Sequence, residues 1–322
     1  MNLRSAANKM QFQLQCPALG VLSSDKMAPQ VKAVAKGVRA AMLAALLTGG
    51  ASAQTIVSFD GFASHTGLTI NSSASVTSTT DGSVLRLVSA PNLDQAGSVF
   101  TNSLVNASGF STAFDFRLTN PGGISDGQET GADGLTFALQ TAGANKVGLY
   151  GENLGYGGTT FGHSIAVEFD TYYNSGDDPT LPNGGSNHVA VDLNGSVSSA
   201  SNAVGITPRF DNGSLWTAWV DYDGTVLEVR LSDTGVRPTD PTLSYMVNIP
   251  STIGATSAYF GFTGGTGSAY SNEDVIDWAY SNTFVSGGIN TPLSIPEPAA
   301  YQLILAGAAL LWLRRRQFRL TH

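Results

Sequence analysis

The chain has 322 residues, with 16 Lys and Arg against 24 Asp and Glu, for a formal charge of −8. Ten of the basic residues fall in the first 53 and last nine positions, which leaves six against 22 acids between residues 54 and 296. A body this acidic repels phosphate backbones and excludes nucleic acid as a partner. The single cysteine, Cys16, leaves the body without a disulfide, a Cys-based zinc site or a cysteine nucleophile.

Residues 1–53 read as a leader. From Met27 the chain runs through Lys32, Lys36 and Arg39 into an apolar stretch, Ala40 to Leu47, and closes on Ala51-Ser52-Ala53. A basic region, a short apolar region and an A-x-A site make a secretory signal cut after Ala53. Met27 is read as the true start, one unusually long leader being the alternative. Either way the mature protein begins near Gln54 and works outside the cytoplasm.

Residues 54–285 hold one large domain. Thirty-seven Gly, with many Ser, Thr, Asn and β-branched residues, favour strands and turns over helices. Strand-like runs recur at Val84–Val88, Ser111–Leu118, Gly134–Gln140, Ser164–Thr171, His188–Leu193, Leu215–Tyr222, Thr225–Leu231, Tyr259–Thr263 and Val275–Ser281. In the second of these, Phe114, Phe116 and Leu118 alternate onto one face. Asp223-Gly224 predicts a hairpin whose two turn positions both tolerate positive φ. With no helical periodicity between the runs, the expectation is all-β: two packed antiparallel sheets.

One segment concentrates chemistry. It runs from Ala166 through Glu168, Asp170, Tyr172, Asn174, Asp177 and Asp178, and returns through His188. On a strand, Glu168, Asp170 and Tyr172 share one face while Val167, Phe169 and Thr171 share the other. Paired carboxylates without a basic neighbour in sequence repel unless a cation joins them. Carboxylate, amide and carbonyl oxygens suit calcium, and carboxylates with an imidazole suit a transition ion such as manganese. The plainer alternative is an acidic turn between solvated strands.

At the C-terminus a Gly/Ser/Pro-rich linker, residues 286–295, precedes Pro296-Glu297-Pro298, an apolar run from Ala299 to Leu313 and Arg314-Arg315-Arg316. As a helix that run rises only about 22 Å, short of the ~30 Å hydrocarbon core. Residues 296–322 resemble the PEP-CTERM sorting signal of Gram-negative bacteria. That resemblance implies processing by an exosortase-type membrane enzyme and a location at the cell envelope or in the extracellular matrix; a plain membrane anchor is the alternative.

The run Val167 to Asn174, with Asp178-Pro179 and His188-Val189, resembles the metal loop of the legume-type (L-type) lectins. Ala132-Asp133-Gly134 resembles the sugar-binding segment of that family. Trp219 to Tyr222, Tyr259 to Thr263, Gly267 and Ile276 to Ser281 resemble its remaining strands and last sugar-side loop. The resemblance implies a concanavalin A-like jelly-roll sandwich that binds glycans and catalyses nothing. It assigns Asp170, Asn174, Asp178 and the Tyr172 carbonyl to Ca2+, and Glu168, Asp170, Asp178 and His188 to Mn2+ or another transition ion, with Ser198 as a water-linked contact. It further implies carbohydrate contacts from Asp133, Gly151, Tyr172, Asn174 and Gly267, a cis Ala132–Asp133 peptide, and possible assembly into homo-oligomers.

Two other functions compete. A structural adhesin or matrix protein would keep the sandwich and its ions without binding sugar. A glycoside hydrolase would need a second acid after Glu168 and Asp170, where this chain has Tyr172 and Tyr173.

Overall fold

The computed structural model describes residues 54–200 and 203–291. The expected leader, the sorting segment and residues 292–295 of the linker lie outside the described residues.

In the first half of the domain the strands are β1 Ile56–Phe59, β2 Leu68–Ser72, β3 Ser75–Thr79, β4 Gly82–Val88, β5 Ala96–Thr101, β6 Val105–Asn106, β7 Phe110–Gly123 and β8 Gly134–Gln140. The second half adds β9 Ser164–Asp170, β10 His188–Leu193, β11 Val204–Gly205, β12 Trp216–Tyr222, β13 Val226–Ser232, β14 Leu243–Met246, β15 Ser257–Gly265 and β16 Ala269–Ser281. A five-residue helix, Ile249–Ile253, precedes β15; the Asn248 side chain caps it by accepting from the Ser251 amide.

Two antiparallel sheets result. One is ordered β14-β13-β12-β7-β16-β4-β3 with β1 beside β16, the other β11-β10-β9-β8-β15-β5-β2 with β6 beside β15. Period-two alternation directs one face of each sheet inward, and the aromatic residues meet there. Phe114 of β7 packs against Phe137 of β8, Phe169 of β9 and Phe262 of β15, all buried, with ring centroids 4.9–5.9 Å apart. Phe116 and Leu118 join the same core, as their alternation predicts.

All nine predicted runs form strands. The short strands that patterning does not reveal, such as β3 (SVTST) and β2 (LTINS), are polar edge strands held by pairing to a longer neighbour. The Asp223-Gly224 turn departs from expectation. The last ladder pair is Tyr222 with Leu227, and only Gly224 takes positive φ. Asp223 instead accepts hydrogen bonds from the Thr225 and Val226 amides through its carboxylate.

The linker prediction also changes. Residues 286–291 do not leave the domain as a free tether. Val285 and Ile289 pack on Trp219, Ala113 and Ala279 on the outer face of the first sheet, and the Val285 amide donates to Ser111. Apolar residues at those two positions within a Gly/Ser-rich stretch supply the anchor.

Candidate functional site

The site lies on the outer face of the second sheet, at one end. Strand β9 sends Ile165, Val167 and Phe169 into the core, so Glu168 and Asp170 face outward, as predicted. Antiparallel register places His188 beside Asp170, Ala190 beside Glu168 and Asp192 beside Ala166. On the other flank Gly134 of β8 stands beside Asp170. The face is covered: Glu168, Asp170, His188 and Asp192 are 0–2% exposed.

Buried carboxylates in this number need either a compensating charge or protons of their own. The protein supplies little of that charge. His188 Nε2 lies 3.3 Å from Glu168 Oε1, and its Nδ1 is bonded to the Gly185 carbonyl at 2.8 Å. Arg209 reaches the bend but directs its donors to Asp211, Ser186 and the Thr171 carbonyl. Burial raises the Asp170 carboxyl well above its usual range, and the charges of Asp178 and Glu168 raise it further. Asp178 is pushed up to about 7, chiefly by burial, and burial with the Glu168 charge raises Asp192. Burial lowers the basicity of His188, but the bond to Glu168 and the charges of Glu168 and Asp178 outweigh it.

These residues fit a divalent ion. Glu168 Oε2, Asn174 Oδ1 and both Asp192 carboxylate oxygens are buried without a hydrogen-bond partner. Unpartnered buried oxygens beside raised carboxylates are donors of the kind a divalent cation takes. Among the described residues no three His, Asp or Glu side chains converge tightly enough to enclose an ion unaided. Asp170 Oδ1 accepts from the Tyr172 amide and Asp178 Oδ2 from the Asn174 amide.

Ser198 does not bond to Glu168. Its hydroxyl donates to Asp177 at 2.7 Å, whereas Ser199 reaches Glu168 Oε1 at 2.8 Å. The Ala200 amide bonded to the Val191 carbonyl fixes this register, one residue along from the one spacing suggested.

Asp133 lies beside the bend. The Ala132–Asp133 peptide is cis, as the resemblance implies. The Asp133 amide donates to Gly265 of β15 at 2.9 Å, and its carbonyl accepts from Thr171, next to Asp170, also at 2.9 Å. Gly134 must be glycine: its φ is +123°, and a Cβ would collide with the Phe169 carbonyl. The Gly134 amide donates to Glu273, a fully buried glutamate whose carboxyl burial raises well above its usual range.

The Asp133 side chain opens onto a cleft of about 480 Å³. All five residues assigned to carbohydrate line it: Asp133, Gly151, Tyr172, Asn174 and Gly267. Gly151 and Gly267 form its narrow part, where a Cβ on Gly267 would stand 3.3 Å from the Gly151 Cα and 3.4 Å from Asp133 Oδ2. Asp133 is 4% exposed, and its Oδ2 has no partner. Burial, then the charge of Glu152, pushes its carboxyl up to about 8.

Asp94, Ile124, Leu149, Tyr150, Glu152 and Asn153 line the cleft as well, the last four within the Gly-rich segment around Gly151. Ile124, Leu149 and Tyr150 are more than half exposed, which makes an apolar rim around a polar floor. Large apolar side chains inside a Gly-rich loop were the available signal for Leu149 and Tyr150; nothing local marks Asp94.

A bend rich in buried oxygen donors, beside a cleft floored by a buried aspartate with one unpartnered oxygen and set on a two-sheet sandwich, marks this end of the second sheet as a site for a polar ligand. The legume lectin domain model matches residues 54–294, and the chain belongs to that family of carbohydrate-binding domains. It is 31% identical over 196 residues to the L-type lectin-domain containing receptor kinase VIII.1 of Arabidopsis thaliana, covering 59% of this chain and 26% of the relative. With the receptor kinase SIT2 of Oryza sativa subsp. japonica it shares 28% over 244 residues, 65% of this chain and 35% of the relative. The chain thus spans about a quarter to a third of the curated relatives it matches.

Basic winged bean lectin, solved with Tn-antigen, aligns at TM-score 0.58 and 25% identity over 71% of this chain and 98% of its own. Lectin UEA-II, solved with galactose, aligns at TM-score 0.56 and 25% identity over 70% and 98%. These neighbours bear out the jelly-roll sandwich. The match to residue 294 also takes in the segment lying on the first sheet.

Proposed function

We propose that this protein is an exported, divalent-ion-dependent lectin that holds glycans at the envelope or in the extracellular matrix of a Gram-negative bacterium. The observation that carries the reading is the convergence of Asp133, Gly151, Tyr172, Asn174 and Gly267 on one cleft whose floor is tied by backbone hydrogen bonds to the acidic bend.

Each residue has a task. The Asp133 carboxylate accepts hydrogen bonds from adjacent sugar hydroxyls, and the Asn174 amide donates one. Tyr172, with the apolar rim, covers the hydrophobic face of a pyranose. Asp170, Asn174, Asp178 and the Tyr172 carbonyl would hold Ca2+; Glu168, Asp170, Asp178 and His188 would hold Mn2+ or a similar ion. An ion held there would supply positive charge to the bend, and Asn174 would be positioned through its otherwise unpartnered Oδ1. Asp192, buried beside Glu168, joins the set that an ion would neutralise.

The secretory and PEP-CTERM-like segments support export and sorting by an exosortase-type enzyme. UEA-II and winged bean lectin, solved with galactose and Tn-antigen, make galactose-series glycans the first probes. Single-site affinity is expected near 0.1 to 1 mM, about 4 to 5 kcal/mol, so display or oligomerisation would provide avidity. A glycan array with and without chelator tests the reading. Signal that needs calcium and is lost in Asp133→Ala supports a lectin; ion-dependent folding with no glycan bound would favour the structural adhesin.

A further inference from the structure

The cleft carries an unbalanced charge. Asp94, Asp133 and Glu152 line it, and no Lys, Arg or His is among its lining residues. Asp133 sits buried at the floor, while Asp94 and Glu152 stand exposed on two separate rims. Both rims are tied to the same turn: the Asp94 amide donates to the Gly267 carbonyl at 3.2 Å, and the Gly151 amide, next to Glu152, donates to the Thr266 carbonyl at 3.1 Å. The backbone of both carboxylates is therefore anchored at the cleft they line. The charges of both act on Asp133, that of Glu152 more strongly.

Ions in the bend would not offset this charge. Two divalent cations would bring four positive charges against five negative ones from Glu168, Asp170, Asp177, Asp178 and Asp192, so the loaded bend would carry no excess positive charge. A concave wall of one sign focuses its field on whatever enters. Discrimination also needs a repulsive element, and the rim supplies one against anionic sugars.

We propose that the cleft selects glycans by charge: Asp94 and Glu152 favour sugars bearing a protonated amino group and reject those bearing a carboxylate. This rests on the reading of the cleft as a sugar site. Because the rim carboxylates face solvent, the preference is several-fold and salt-sensitive.

The test uses the full chain loaded with calcium and manganese. Its probes are matched polymer conjugates of glucosamine and galactosamine, their N-acetyl forms, and glucuronate and galacturonate, measured by interferometry at low and high salt. The amino forms are expected to bind about three- to ten-fold more tightly than the N-acetyl forms at low salt, with the uronates weakest. That ratio should shrink toward one in the double variant Asp94→Asn, Glu152→Gln, and at high salt. A ratio that the double variant leaves unchanged, or uronates bound as tightly as amino sugars, overturns the proposal while sparing the lectin reading. Amino-conjugate binding that survives Asp133→Ala assigns the attraction to the acidic surface at large and also overturns it. Failure to bind any conjugate overturns the proposal, and the chelator-controlled glycan array then decides the lectin reading separately.

Discussion

Stripping the ions should reverse the pH dependence of stability. Without cations, Asp178 titrates at about 7 and Asp170 well above the usual range, whereas an unfolded aspartate titrates near 3.9. Between those limits the folded chain binds more protons than the unfolded chain, so the chelated protein is most stable at low pH and loses stability as pH rises toward 7. Each such carboxyl contributes a slope of about 1.4 kcal/mol per pH unit, and in a domain of this size 1 kcal/mol moves Tm by roughly 2–4 °C. The chelated protein should therefore lose about 3–6 °C per pH unit per carboxyl. The loaded protein has the opposite sign. Ions hold the same carboxylates ionised, so its stability is full at neutral pH and falls as acid displaces them. Thermal unfolding followed by circular dichroism between pH 5 and 8, with EDTA or with calcium and manganese, reads both slopes. Slopes of the same sign would refute the assignment of these carboxylates to an ion site.

Three other substitutions separate the parts. Gly267→Val places methyl groups between Gly151 and Asp133, so glycan binding should fall at least tenfold by calorimetry while Tm moves by a few degrees at most. His188→Gln removes the imidazole from the transition-ion set; manganese binding, read by electron paramagnetic resonance, should be lost while calcium still binds. Phe114→Ala empties the centre of the aromatic core and should cost about 3–5 kcal/mol in denaturant unfolding, with the ion-loaded cleft intact in the fraction that folds.

The parts of this molecule that obey short-range periodicity were legible in the sequence. Val167 and Phe169 face the core and Glu168 and Asp170 face outward because a strand alternates, and alternation alone separates the wall from the site. Asp133, Gly151 and Gly267 were reached through resemblance, since nothing in their spacing brings three distant loops together; the pairing of β8, β9 and β15 does so. Asp192 was missed because a lone acid at the fifth position of an apolar strand reads as a solvated face; register pairs it with Ala166, on the same face as Glu168 and diagonal to it. Glu273 was missed because its partner is a backbone amide 139 residues away. The Ser198 and Ser199 exchange shows that a run of identical side chains carries no register of its own. Residues 285–291 show that a Gly- and Ser-rich composition does not make a free tether when two apolar side chains can seat on an outward-facing tryptophan and cover it.

The central claim is that ions in the bend and sugar in the cleft support each other through Asp133 and Asn174. Coupling of this kind is reciprocal, so the direct measurement is the calcium dissociation constant with and without a saturating array-selected glycan. Calcium bound several-fold more tightly in the presence of glycan is the predicted result. Equal affinities, in a protein that binds both, would contradict it.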